Sequence, residues 1–173
     1  MLLENKVALI YGAQLPVDSL FLPITTYMKA HFVTARASAR HMIEKRSGVI
    51  LTITSTPARM GVPLVGGMVP AWGAVEALTR GLSAELGPLG VRVICLRPHA
   101  IPESATINEV YGLHAKATGM TREQFQLRSE GMTHLRRLPT LAEVADVAAL
   151  MASDRTSAMT GTVVNLSGGT IAD

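Results

Sequence analysis

Four short apolar runs, Lys6–Ala13, Gly48–Ser55, Val91–Pro98 and Gly161–Leu166, set the limits on how this chain can fold. Each has the length and continuity of a strand buried on both faces, as in a parallel sheet. Between them lie stretches with helical start and stop signals. One helix follows Asp18, with Pro23 near its start and Phe32, Ala35, Ala39 and Met42 on its inner face. A second spans about Pro70 to Leu86, opening on proline and stopping at Gly87, the usual asymmetry of helix ends. Thr121-x-x-Gln124 and Thr140-x-x-Glu143 are capping-box patterns, each opening a further helix, and the latter runs through Val144, Val147 and Leu150 to Ser153. Strands alternating with helices predict an α/β fold with a parallel sheet and right-handed crossovers.

The 173 residues suffice for one domain with a real core and are short for two, so residues 1–173 are expected to form a single unit. Apolar residues make up 48% and charged residues 17%, a globular composition. No apolar run reaches the ~18–20 residues of a membrane span, and Met1–Lys6 lacks a signal-peptide layout. The single cysteine, Cys95, excludes an internal disulfide and fits a reducing cytoplasm. A net charge of +3 is spread over Arg36, Arg40, Lys45, Arg46, Arg136 and Arg137 without interleaved aromatics, a pattern of solvated helix faces rather than a nucleic-acid stripe. No metal-ligand cluster is expected.

The stretch Pro70-Ala71-Trp72-Gly73-Ala74-Val75-Glu76-Ala77-Leu78-Thr79-Arg80, continued by Leu82–Val93, resembles the active-site helix of the short-chain dehydrogenase/reductase family. Ala35–Met42 before Gly48-Val49-Ile50 resembles the family's helix and strand that follow its fourth strand. Leu150–Asp154, Met159–Thr162 and Gly168-Gly169 resemble its C-terminal end. The resemblance runs from about Leu15 to Gly169, and Leu3–Ala13 is similar to the family's first strand. It implies a Rossmann-like three-layer sandwich and a nicotinamide cofactor, NAD or NADP.

The family helix opens with Tyr-x-x-x-Lys. Residues four apart share a helix face, so the lysine ammonium lowers the tyrosine pKa and holds the cofactor ribose, and the tyrosine becomes the general acid/base. Here those positions carry Met68 and Trp72. A thioether transfers no proton, and an indole N–H only donates a hydrogen bond. The family's catalytic asparagine falls on Tyr27 and its serine on Ser55, so Ser55 alone is retained. With no base beside it, Ser55 does not support nucleophilic catalysis.

The implied cofactor site is also reduced. Gly12 matches the first glycine of the family's phosphate-binding turn; the two that follow are absent. At the nicotinamide end, Pro98, His99 and Ile101 occupy the implied positions, with His99 replacing a glycine where close backbone approach is usual. The second strand and the segment after the fourth are missing too. Joining the end of the first strand to the helix after the fourth excises about three βα units, roughly 75–90 residues. Strand 3–12 is then expected beside strand 48–55, giving about four parallel strands in sequential order along a βαβαβαβ path. Helices 19–46 and 70–86 would cover one face and 140–153 part of the other, leaving apolar surface that favours self-association.

Three functions fit these residues. The first is a degenerate family member without standard oxidoreductase activity, acting as a structural or interaction protein, as a homodimer or tetramer or paired with a full-length relative through the two-helix face. The second is an NAD(P)-dependent oxidoreductase acting on a small carbonyl or alcohol, in which Ser55, Tyr27 or His99 replaces the lost groups. The third is a small-molecule binding module between Ser55, Met68, Trp72 and the segment from His99 to Leu113, with Met120, Phe125 and Met132 either lining a pocket or packing a core. No nucleic-acid or membrane partner is expected.

Overall fold

The computed structural model describes residues 16–172. They form helix α1 (Val17–Lys45), strand β1 (Gly48–Ile53), helix α2 (Met68–Leu86), strand β2 (Val91–Pro98), helices α3 (Ala105–Thr118), α4 (Arg122–Gly131) and α5 (Leu141–Ala152), and strand β3 (Val163–Leu166). The sheet is parallel, in the order β1-β2-β3. Gly48 pairs with Val91 and Cys95 with Val163. The first expected strand, residues 3–12, lies outside the described residues, so three of the four expected strands are seen.

Side-chain alternation along β1 and β2 divides the core in two. Ile50, Val91 and Val93 face Ala35 and Ala39 of α1 and Leu86 of α2. Ile94, Leu96 and Leu51 face Met151, Val147 and Ala148 of α5. This is the expected three-layer sandwich, with two helices on one face and one on the other. A third cluster, Ala100, Tyr111, Leu138 and Phe125, ties α3 and α4 to the end of β2.

The helices covering successive crossovers lie on opposite faces while the strands advance in one direction. The two crossovers therefore have opposite hands, and the uniformly right-handed path expected from sequence fails at one of them. The handedness preference acts on compact strand–helix–strand units. The connection from β2 to β3 carries three helices, and only the last of them, α5, packs on the sheet.

Local chemistry explains the element ends. α1 closes with Arg46 in the left-handed region, where its N–H and that of Ser47 satisfy carbonyls of Met42 and Ile43. Gly90, at φ 85°, abuts that turn: a Cβ there would lie 2.3 Å from the Arg46 carbonyl oxygen. Both capping boxes form, Thr121 with Gln124 and Thr140 with Glu143. Arg92 of β2 donates to the carbonyls of Met151 and Ser153, at 3.0 and 2.9 Å, and so caps the end of α5.

Two expectations are corrected. Phe32 is 47% exposed rather than on the inner face of α1, which packs onto the sheet through Ala35, Ala39, Met42 and Ile43. α2 begins at Met68, not Pro70, since the preceding Gly66-Gly67 turn lets the helix start earlier.

Candidate functional site

In a parallel sheet every strand ends at the same edge, where α/β folds bind ligands. Ser55 follows β1 at this edge, Pro98, His99 and Ala100 end β2, and Ser167 follows β3. Thr54 N–H donates to the Leu96 carbonyl and His99 N–H to the Leu166 carbonyl, so the three strand ends are joined. The N-terminus of α2 comes to the same region. A single turn of 3-10 helix, Thr56–Ala58, packs against α2, and Ala58 lies beside Gly73.

Ser55 is half-buried and its backbone carbonyl accepts from Ala58 N–H. Its hydroxyl has no hydrogen-bond partner among the described residues. Met68 and Trp72, one turn apart at the start of α2, are both half-buried. Neither offers a proton-transferring group. Tyr27 sits on α1 and engages its own helix: His31 stacks on its ring at 5.8 Å and bonds its carbonyl through Nδ1 at 2.8 Å. Ser55 thus follows β1 while Met68 and Trp72 lie in the opening turns of α2, and no hydrogen bond among the described residues joins these three to one another or to Tyr27.

Pro98 is buried and ends β2; Ile101 is half-buried and its carbonyl accepts from the Ser104 hydroxyl and N–H. His99 accepts the Ala100 N–H on Nδ1 at 2.7 Å, which assigns the ring proton to Nε2. That Nε2 is buried with no partner among the described residues. Burial holds the imidazole pKa down to about 4, so the ring is neutral at pH 7.

The lid segment divides unevenly. Phe125 packs edge-on against Tyr111 at 5.0 Å within the third core cluster, whereas Met132 is exposed. Of the residues weighed as pocket lining, Phe125 belongs to the core.

A polar seam between α2 and the sheet went unnoticed in the sequence. Thr52 and Thr79 hydroxyls meet at 3.0 Å, and Thr54 donates to Glu76 Oε1 at 3.1 Å. Arg97 Nη1 approaches both Glu76 oxygens, at 3.5 and 3.4 Å, with both residues buried. Arg97, Glu76, Arg59 and Arg80 line a cleft of about 410 Å³. The signal was legible: an arginine inside the otherwise apolar run Val91–Pro98 needs a buried partner. Beneath the seam, Thr54 contacts the Cys95 sulfur at 3.4 Å, and burial pushes the Cys95 thiol pKa up.

These residues do not fit a nicotinamide cofactor in the manner of the family. Trp72 cannot supply the ammonium that holds the ribose in the family, and an imidazole with a buried Nε2 stands at position 99, where the family carries a glycine. Gly12 lies outside the described residues. Among the described residues no three His, Cys, Asp or Glu side chains cluster to hold a metal, and no helix is long and apolar enough to cross a membrane.

Comparison with known proteins agrees with the fold. The family model described as enoyl-(acyl carrier protein) reductase matches residues 23–170. Sorbitol-6-phosphate 2-dehydrogenase of Klebsiella pneumoniae is 32% identical over 147 residues, covering 82% of this chain and 54% of its own length. A Xanthobacter autotrophicus protein described as inactive 2-(S)-hydroxypropyl-CoM dehydrogenase 2 is 26% identical over 138 residues, covering 80% of this chain and 57% of its own. The crystal structure of sorbitol-6-phosphate 2-dehydrogenase SrlD from Erwinia amylovora superposes with a TM-score of 0.88, over 97% of this chain and 65% of that one, at 24% identity. This last likeness speaks to fold alone. The chain spans about half the length of the curated relatives it matches. With strand order, helix placement and a family model over most of its length in agreement, the chain belongs to the short-chain dehydrogenase/reductase family.

Proposed function

We propose that this chain is a non-catalytic member of its family, a structural or interaction protein that keeps the fold of the active-site half without its chemistry. The observation that carries this reading is the pair Met68 and Trp72 at the start of α2, together with a Ser55 whose hydroxyl is hydrogen-bonded to no base among the described residues. That a relative over the same region is described as inactive is consistent with it. Val17, Phe21, Leu22 and Val33 expose apolar surface along α1, which supports self-association as a homodimer or tetramer, or pairing with a full-length relative. The single buried Cys95 favours the cytoplasm. Titration with NADH and NADPH, followed by nicotinamide fluorescence, tests the proposal. No binding at millimolar cofactor is expected; a Kd tighter than about 100 μM, roughly −5.5 kcal/mol, overturns it.

A second reading, an NAD(P)-dependent oxidoreductase with non-standard catalysis, draws on the unpartnered Nε2–H of neutral His99 at the end of β2. A pKa near 4 matches a catalytic base at neutral pH poorly, which favours the first reading.

A further inference from the structure

We propose that the arginine-lined cleft beside α2 is a binding site for a small dianion, a phosphate monoester or a dicarboxylate. The cleft holds about 410 Å³, within the range of small-molecule pockets. Ser55, Met68 and Trp72 do not line it, whereas Val163 of β3 does. It is therefore a second site, and it goes beyond the non-catalytic reading above.

Four elements build it. Gly73, Glu76 and Arg80 of α2 recur at helical spacing and so share one face. The turn Thr56–Ala58, closed by Ala58 and Arg59 N–H groups bonding the Ser55 and Thr56 carbonyls, supplies Ala58 and Arg59. β2 contributes the buried Arg97 and β3 contributes Val163. The absence of a side chain at Gly73 keeps the cleft open: a Cβ there would meet only the Ala58 carbonyl oxygen, at 4.0 Å.

Charge selects the ligand. Glu76 is the one acid among the lining residues, and it faces Arg97 and accepts from the Thr54 hydroxyl. Arg80 lies four residues after Glu76, the spacing at which a helical Glu–Arg pair forms. With Glu76 turned toward the sheet, that pair is not made. Arg59 and Arg80 are both exposed and have no hydrogen bond or ion pair from their side chains among the described residues. Two guanidinium groups without an acid thus line one cleft. Such a cleft concentrates anions, and a guanidinium fork matches the oxygen pairs of phosphate and carboxylate. A phosphate monoester carries nearly two negative charges at neutral pH, and a dicarboxylate carries two. Either answers both arginines.

Amide-shift NMR on the full chain tests the proposal, by titration with inorganic phosphate, succinate and acetate at constant ionic strength. At least one dianion is expected to shift Ala58, Arg59, Gly73 and Arg80 with a Kd below about 1 mM, at least about 10-fold tighter than acetate. Phosphate alone assigns the site to phosphate esters, succinate alone to dicarboxylates, and both to recognition by charge. Arg59→Gln and Arg80→Gln, at exposed positions, should each weaken binding about 10-fold. Gly73→Leu keeps every charge but fills the cleft, and should abolish binding. A Kd above about 1 mM for both dianions overturns the proposal, as does acetate binding equally well. So does a loss of less than about 3-fold in either arginine variant, or parent-like affinity in Gly73→Leu. Should Gly73→Leu unfold, the two arginine variants decide.

Discussion

The carbonyl oxygen of Leu20 lies where a side chain on Gly67 would begin, 2.0 Å from the Cβ position. This contact fastens the N-terminal third of α1 to the start of α2, the helix that carries Met68 and Trp72. Because it is backbone against backbone, no rotamer change relieves it. Gly67→Ala should cost about 1–3 kcal/mol, as overpacking does, read as a drop in the urea midpoint with unchanged m-value. An unshifted midpoint would show that the two helices move apart freely.

Glu76 and Arg97 form a buried ion pair whose separations of 3.4–3.5 Å are long for a charge-assisted bond. Glu76→Ala removes the carboxylate facing Arg97 and the acceptor of the Thr54 hydroxyl together, and should cost about 3 kcal/mol, near the lower end for breaking a buried pair. Glu76→Gln keeps an acceptor for Thr54 and should lose roughly half as much. Equal losses in the two variants would mean that charge, not the hydrogen bond, dominates.

His99 sets a pH dependence whose sign follows from its environment. Burial depresses its folded pKa to about 4, below the ordinary 6.5. Between those values the unfolded chain binds the proton and the folded chain does not, so stability falls as pH drops from about 6.5 to 4. A shift of this size is worth about 3 kcal/mol. His99→Gln should flatten that part of the profile in urea titrations at pH 7, 5.5 and 4.5. The Glu143 carboxylate, held down to about 2 by Arg137, acts below this window. Parallel profiles for parent and variant would refute the assignment.

On the proposed non-catalytic reading, restoring the family pair by Met68→Tyr with Trp72→Lys should leave the protein without NADH- or NADPH-dependent turnover of small carbonyl compounds. Turnover above background in this variant would show that the rest of the site is assembled and that the two substitutions alone silence it.

The three described strands and both capping boxes were legible because their signals are local: apolar runs of strand length, and Thr-x-x-Gln or Thr-x-x-Glu before a helix. α3 was not delineated. Its Ser104 cap accepts from Ile107 N–H, and without a Glu or Gln at that third position the sequence shows no reciprocal pattern. Phe32 misled because one apolar residue in roughly the right period cannot reveal which side of α1 the sheet covers. The opposite hands of the two crossovers rest on which face α5 packs against, a long-range property with no local marker. At the site, Ser55, Met68 and Trp72 were singled out by resemblance and spacing, whereas the Glu76–Arg97 pairing joins residues from two elements whose docking had to be known first.

The seam of Thr52, Thr54, Thr79, Glu76 and Arg97 works as a key between helix and sheet. Its hydrogen bonds close in one alignment of α2 only, and sliding the helix by a single residue would strand every partner in an apolar layer. The key sits in the middle of α2, while the positions that carry the family's chemistry sit at its first turn. Folding instructions and reaction instructions are thus written on separate stretches of one helix, so the second can be erased without disturbing the first.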